Sequence, residues 1–214
     1  MNQAGSDAKM PHEAPASHRP ATEVLDELLR GNERFVGSEN VNCADARARR
    51  AAVAEGQTPH AIVLGCSDSR IPPETVFDQR LGDVFVVRIA GNVPDDFGLA
   101  SIEYAVAHFG SPLLIVLGHD ACGAVQATLD VATGRAAMPP GHLGKLVQAL
   151  GPAVQSVLSH DGNQLANAVV ANIRAVARSL TGRSPVLQKS VAARKLKIVG
   201  ARYSLSSGVV SIVS

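Results

Sequence analysis

The stretch that decides the fold is AIVLGC, at residues 61–66. A short and continuous apolar run of this kind is typical of a β-strand that is buried on both faces. Such strands belong mainly to parallel sheets, because helices then cover both faces of the sheet. The run ends directly at Cys66, which places a reactive side chain at the carboxyl end of the predicted strand.

Further apolar runs predict the other strands of the same sheet. They lie at residues 84–87, 113–117, 196–200 and 209–213. The run at 113–117 ends at Gly118-His119, so a second reactive side chain follows a buried strand. The last run comes after the turn Ser206-Ser207-Gly208, which favours a hairpin with the strand before it.

Helical spacing of apolar residues begins at Thr22 and recurs over residues 47–54 and 98–109, and Gly31-Asn32 suggests a bend in the first helix. Strands that alternate with helices predict an α/β fold. We expect a mostly parallel central sheet of four to five strands with an antiparallel edge strand, helices on its faces and an N-terminal helical arm. Residues 1–21 are polar and carry several prolines, so we expect a disordered lead-in before a single domain at residues 22–214.

Composition excludes several classes of protein. The chain has 214 residues, with 20 basic and 19 acidic side chains, no basic run and no Trp, which argues against a nucleic-acid partner. No apolar run has the length of a membrane span. Three cysteines form an odd and small set, so a disulfide framework is not expected, and we interpret Cys43 as a free thiol. We expect a cytoplasmic location, because no segment resembles a signal peptide and because thiolates that bind a metal survive best in a reducing compartment.

Cys66, His119 and Cys122 are the candidate metal ligands. Thiolate and imidazole suit zinc, and three protein ligands leave one open position, as catalytic zinc sites require. Because ligands bind at the carboxyl ends of parallel strands, Cys66 and His119 are expected to meet at one sheet edge. The spacing of His119 and Cys122 is weak by itself, since a buried Cys beside a hydrogen-bonded His would produce the same pattern.

Asp68 and Arg70 follow Cys66 in the run CSDSR. Asp68 is open to three interpretations: a loop carboxylate that caps a turn, a fourth zinc ligand that closes the site, or a partner of Arg70 that accepts a hydrogen bond from zinc-bound water. The planar guanidinium of Arg70 is suited to holding a carboxylate in a fixed orientation. The second and third interpretations are compatible as closed and open states of one site.

Taken together, four segments resemble the β-class carbonic anhydrases of bacteria, in both order and spacing. They are CSDSR at 66–70, GDVFVVRIAGN at 82–92, SIEYAV at 101–106 and GHDACG at 118–123. The resemblance runs from about Thr22 to the end of the chain. It implies zinc bound by Cys66, His119 and Cys122, and a catalytic Asp68–Arg70 dyad. The implied activity is the reversible hydration of carbon dioxide to bicarbonate and a proton, by zinc-bound hydroxide that the dyad orients.

The resemblance also implies a substrate pocket and an assembly. Gln57 matches a substrate-binding glutamine, and Phe85 and Tyr104 match the residues that wall a small apolar pocket. Gln57 would reach zinc across a dimer interface, so a homodimer or a dimer of dimers is implied. Some bacterial members have an inhibitory bicarbonate site that uses Trp, Arg and Tyr; Arg88 and Tyr203 match two of these, and Val63 replaces the Trp.

Two other functions compete with this interpretation. A carbonyl sulfide or carbon disulfide hydrolase would use the same motif on another small, linear and electrophilic substrate. A non-catalytic zinc module would need four strong ligands, and Asp68 is the only candidate for the fourth.

Overall fold

The computed structural model describes residues 19–41 and 46–213. Within them, five strands form one sheet in the order β2-β1-β3-β4-β5. The strands are β1 (Ala61–Gly65), β2 (Val84–Arg88), β3 (Leu113–His119), β4 (Lys197–Tyr203) and β5 (Val210–Ile212). The first four are parallel and β5 is antiparallel to β4, which confirms the predicted fold class.

The two central strands are buried along their whole length. Every residue of β1 and of β3 is inaccessible, as their continuous apolar sequence predicts. Gly65 of β1 pairs in register with Leu117 of β3. The carboxyl ends of these strands therefore lie side by side, and the chain that leaves each of them enters the same region.

Helices cover the sheet and connect its strands. In chain order they are α1 (Ala21–Val36), α2 (Ala46–Ala52), α3 (Pro73–Val76), α4 (Asp96–Phe109), α5 (Gly123–Ala132), α6 (Gly141–Gln155), α7 (Gln164–Arg183) and α8 (Pro185–Ala192), with a short 3₁₀ turn at Ala90–Asn92. The sequence had predicted helices near α1, α2 and α4, whereas α5 to α8 had no prediction. None of the helices in the described residues is both long and apolar enough to cross a membrane.

The predicted bend at Gly31-Asn32 is wrong, because α1 continues through both residues to Val36. Gly31 instead allows a close approach, since a Cβ atom there would lie 1.9 Å from the carbonyl oxygen of Phe77. Asn32 is buried and donates to the carbonyl oxygens of Val76 (3.1 Å) and Gly208 (2.8 Å). These contacts tie α1 to the body of the protein. The predicted lead-in covers residues 1–21, of which residues 1–18 lie outside the described part of the chain. Cys43 also lies outside it.

Candidate active site

Three buried side chains meet at the carboxyl edge of the sheet. The ligand atoms of Cys66, His119 and Cys122 all lie within 4.8 Å of one another. Cys66 directly follows β1, and His119 is the last residue of β3. Ala121 then adopts a left-handed conformation, with φ 51°, which turns the chain so that Cys122 starts α5 beside His119. Two strands and one tight turn thus bring together the three predicted ligands.

The imidazole of His119 has the hydrogen-bonding pattern of a metal ligand. Its Nδ1 lies 2.8 Å from the carbonyl oxygen of Asp120, and since a carbonyl only accepts, Nδ1 carries the proton. Its Nε2 is fully buried and has no hydrogen-bond partner within the described part of the chain. An unsatisfied buried polar atom costs about 1–3 kcal/mol, so Nε2 is expected to have a partner such as a metal ion. Metal-binding histidines commonly fix their tautomer by donating the other ring N–H to a carbonyl oxygen, as Nδ1 does here.

The two sulfurs, 4.0 Å apart, are electrostatically unequal. Their mutual hydrogen bond lowers the pKa of the Cys66 thiol to about 4, and the backbone N–H of Gly91, 3.3 Å from that sulfur, acts in the same direction. The same contact, followed by burial, raises the pKa of the Cys122 thiol. The Cys66 thiol is therefore the more readily ionised of the two, and a bound cation would favour the loss of both protons.

This donor set fits zinc. Zinc in proteins is commonly bound by thiolate sulfurs and imidazole nitrogens. The three ligand atoms here lie within 4.8 Å of one another. The three predicted ligands lie together among the described residues and could hold a metal ion. The nearest carboxylate oxygen, Oδ2 of Asp68, lies 3.9 Å from Nε2 of His119.

Asp68 and Arg70 form a three-point contact beside the cluster. The guanidinium donates from Nε to Oδ1 (2.9 Å) and from one terminal nitrogen to Oδ2 (2.7 Å), and the backbone N–H of Arg70 donates to Oδ1 (3.0 Å). These hydrogen bonds hold the pKa of the Asp68 carboxyl well below its usual range. The carboxylate is consequently ionised and fixed in orientation by Arg70, whereas its hydrogen bond to zinc-bound water stays a prediction.

The loop that carries Cys66 and Asp68 is held in place by Arg88, at the end of β2. Its side chain donates to the carbonyl oxygens of Cys66 (3.0 Å) and of Asp68. The sequence had associated Arg88 only with an inhibitory site. No local pattern would reveal its contact with this loop, because it depends on the pairing of β1 with β2.

The loop that carries His119 and Cys122 has an anchor of its own, which the sequence also did not indicate. The backbone N–H of Asp120 donates to the carbonyl oxygen of Tyr203 (3.0 Å), and the Asp120 carboxylate lies 3.4 Å from Nε of Arg202. Both partners belong to β4, far away in the sequence. Tyr203 is buried against Phe35, with ring centroids 6.5 Å apart, and Val63 lies inside the sheet. The expectation that Val63, in place of the Trp, disrupts the usual inhibitory site stays a sequence-based prediction.

The predicted substrate residues are not brought to the cluster within one chain. Gln57 is exposed on the loop before β1, and Tyr104 is 41% exposed on α4. Phe85 pairs in register with Ile62, four residues before Cys66, which is about 13 Å along the strand. Phe85 and Tyr104 do contact each other, with ring centroids 6.4 Å apart. In the described residues, no contact joins any of these three side chains to the metal-ligand cluster.

Comparison with known proteins gives a consistent family. A family model described as carbonic anhydrase matches residues 61–210. Carbonic anhydrase 2 of Mycobacterium tuberculosis is 39% identical over 181 residues, which cover 85% of this chain and 87% of that protein. A carbonic anhydrase of Mycolicibacterium smegmatis is 39% identical over 187 residues, covering 87% and 90% of the two chains.

Solved structures agree with the sequence relatives. A tetrameric β-carbonic anhydrase of the fungus Sordaria macrospora superposes with a TM-score of 0.70 at 24% identity and covers 90% of this chain and 98% of its own; at that identity it supports the fold alone. A β-carbonic anhydrase of Coccomyxa, solved with acetazolamide, has a TM-score of 0.68 at 26% identity and covers 88% and 86% of the two chains. Fold, clustered ligands and relatives lead to one conclusion: the chain belongs to the β-carbonic anhydrase family of enzymes.

Proposed function

We propose that the chain catalyses the reversible hydration of carbon dioxide to bicarbonate and a proton, with zinc held by Cys66, His119 and Cys122. The observation that carries this proposal is the buried, unpartnered Nε2 of His119 facing two sulfurs beside an ionised Asp68. Zinc, when bound, supplies Lewis acidity that makes a water molecule lose a proton near neutral pH.

Asp68 acts on the attacking water. Arg70 keeps the carboxylate ionised and holds both of its oxygens in fixed directions. Asp68 therefore accepts a hydrogen bond from the attacking water and orients a lone pair of the water oxygen toward the substrate carbon. Arg88 supports this function by fixing the loop from which Asp68 projects. The three hydrogen bonds from Arg70 also favour the open site, in which Asp68 is not a metal ligand; the closed state stays a prediction from the sequence.

The same pairing argues against a non-catalytic zinc module. Such a module needs a fourth strong ligand, and Arg70 draws the nearest carboxylate away from that position.

We further propose that a second copy of the chain completes the pocket. Gln57, Phe85 and Tyr104 lie away from their own metal-ligand cluster, and Phe97, two turns before Tyr104 on α4, is 84% exposed. An exposed aromatic surface of this kind is typical of a protein interface. A homodimer or a dimer of dimers, in which the partner supplies these side chains, would bring an apolar wall and a hydrogen-bond donor to carbon dioxide. We retain the cytoplasm as the proposed compartment because thiolate ligands persist best where thiols stay reduced.

The test is stopped-flow hydration of carbon dioxide by purified protein whose zinc content is measured in the same sample. We expect turnover in proportion to bound zinc, loss of turnover after chelation and recovery when zinc is returned. Carbonyl sulfide is assayed in parallel. Zinc-replete protein that leaves carbon dioxide unchanged would contradict the proposal, and faster turnover of carbonyl sulfide would favour the hydrolase instead.

A further inference from the structure

We propose that Asn172, on α7, is a positioning residue for the metal site: it holds the turn whose Gly91 N–H donates to the Cys66 sulfur, and so limits the charge that this thiolate gives to the metal. This inference rests on the proposal that Cys66 is a metal ligand. Asn172 lies 81 residues from Gly91 in sequence, and none of the motifs in the sequence includes it.

The contacts form a short chain from a helix interior to the sulfur. Asn172 is 2% exposed, and its side-chain amide donates to the carbonyl oxygen of Gly91 at 2.8 Å. The N–H of the same Gly91 donates to Sγ of Cys66 at 3.3 Å. Anchoring the carbonyl of Gly91 therefore restricts rotation of the residue whose N–H faces the sulfur.

The turn needs an anchor because its conformation is unfavourable. Gly91 has φ 66° and ψ 16°, and the next residue, Asn92, has φ 48° although it is not a glycine. A left-handed conformation costs a glycine little but costs a non-glycine residue on the order of 1 kcal/mol, so Asn92 needs support from its surroundings. Leu150 and Ala124 pack tightly against Gly91. Among the described residues, two side chains hydrogen-bond to Gly91: Cys66 accepts from its N–H, and Asn172 donates to its carbonyl oxygen.

A hydrogen bond to a thiolate has a chemical consequence beyond geometry. It draws electron density from the sulfur, which leaves a bound metal more positive, and outer-shell bonds of this type tune metal sites generally. The sulfur of Cys122 is in a different environment, since it faces the backbone N–H groups of Ala124 and Val125 at the start of α5. Asn172 therefore acts on one of the two thiolates.

The experiment uses the full chain with Asn172→Thr, which has nearly the same volume but whose hydroxyl is too short to reach Gly91. Asn172→Ala is the second variant, in case threonine disturbs folding. The control is Val169→Ala, which removes a buried apolar group one turn earlier on the same helix and touches no hydrogen bond of the turn. Zinc affinity is measured by chelator competition, and cobalt(II) replaces zinc for absorption spectroscopy.

We expect zinc affinity to fall about 10- to 100-fold in the Asn172 variants, because the loss of the anchored turn beside Cys66 costs more than the stronger donation by its sulfur gains. We also expect the thiolate-to-cobalt charge-transfer band to move to lower energy, because a sulfur without its hydrogen bond releases an electron more easily. Val169→Ala should change neither quantity, even where its melting temperature falls as far. The band separates electronic tuning of the sulfur from general loosening of the fold.

Two results would overturn the inference. One is a set of Asn172 variants that match Val169→Ala in affinity and spectrum; the other is a loss of affinity with an unchanged band. The wild-type chain distinguishes these from failure of the metal site itself. If it binds neither zinc nor cobalt, the proposed function fails first, whereas normal binding by the wild type assigns the failure to Asn172.

Discussion

Asp68 carries the strongest functional argument at the scale of single residues. The contact with Arg70 is local, since the two residues are two positions apart, and it is bidentate, so it fixes both carboxylate oxygens. A bidentate pair of this type has more geometric specificity than an ordinary ion pair. The carboxylate is directed by a residue of its own loop, and Arg88 of β2 holds that loop in place.

Replacing Asp68 by Asn should separate metal binding from turnover. The amide keeps the size of the side chain but has only one accepting oxygen and no charge, so the attacking water loses its fixed acceptor. We expect full zinc content and a fall in kcat of about 100-fold or more, the size typical of a lost general-base or electrostatic contact.

The matched control for this change is Asp130→Asn. Asp130 also pairs with an arginine close in sequence, Arg135, at 2.9 Å, but it lies on α5 with no contact to the cluster among the described residues. Its variant should keep wild-type turnover. Unchanged carbon dioxide hydration in zinc-replete Asp68→Asn protein would exclude the proposed role of Asp68.

Residues differ sharply in how far the sequence predicts them. Cys66, Asp68 and Arg70 share one loop, and His119 and Cys122 share another, so short motifs contain most of the site. Arg88 and Asn172 act through contacts that arise only when β1 pairs with β2 and when α7 packs near the turn. Such contacts depend on tertiary packing, so neither the spacing nor the residue type of Arg88 and Asn172 in the sequence predicts them.

Among the elements, the strands were predictable and the later helices were not. Continuous apolar runs are rare enough to mark β1 and β3, whose burial is complete. In α6 the apolar residues are interrupted by Gly144, Gly151 and Pro152, which obscures the 3.6-residue period. The bend predicted at Gly31 was wrong, because the sequence alone does not distinguish a glycine that permits close packing from one that permits a bend.

Glycines inside two helices provide a test of this distinction. Gly31→Ala should destabilise the protein by about 2 kcal/mol or more, because the new Cβ would collide with the carbonyl oxygen of Phe77 and the gain in helix propensity is smaller. Gly182→Ala in α7 should stabilise it by up to about 1 kcal/mol, since no atom outside its own helix backbone and its chain neighbours lies within 4 Å of the added Cβ.

Urea unfolding of the two variants measures both effects as shifts of the midpoint at constant slope. Opposite signs would support the packing interpretation of Gly31. Stabilisation by Gly31→Ala would mean that α1 does not pack against Phe77 as closely as described.

For the whole molecule, the proposed assembly requires that each active site draws on two chains. Asp68→Asn and Gln57→Ala should each be nearly inactive alone. In a mixed dimer, however, one site would carry both changes and the other would carry neither. Unfolding and refolding an equal mixture should therefore restore about one quarter of wild-type turnover, from random pairing of the two chains.

The control for the mixing experiment is a mixture of Asp68→Asn with Asp68→Ala, in which no intact site forms. The mixture should stay inactive while its mass in solution equals that of the wild type. If the first mixture also stays inactive although mixed dimers are present, Gln57 serves the site of its own chain or none, and the interface proposal is wrong.

The parallel pairing of β1 with β3 has a consequence for how a newly made chain folds. Cys66 and Cys122 are separated by 56 positions, and parallel strands cannot pair through a tight turn, so a long loop must close before the ligands meet. Contacts of such sequence separation form slowly. In the proposed enzyme, the metal site therefore forms only after this loop has closed. Until then both thiols would be open to oxidation, so a newly made chain would be most vulnerable before its site is complete.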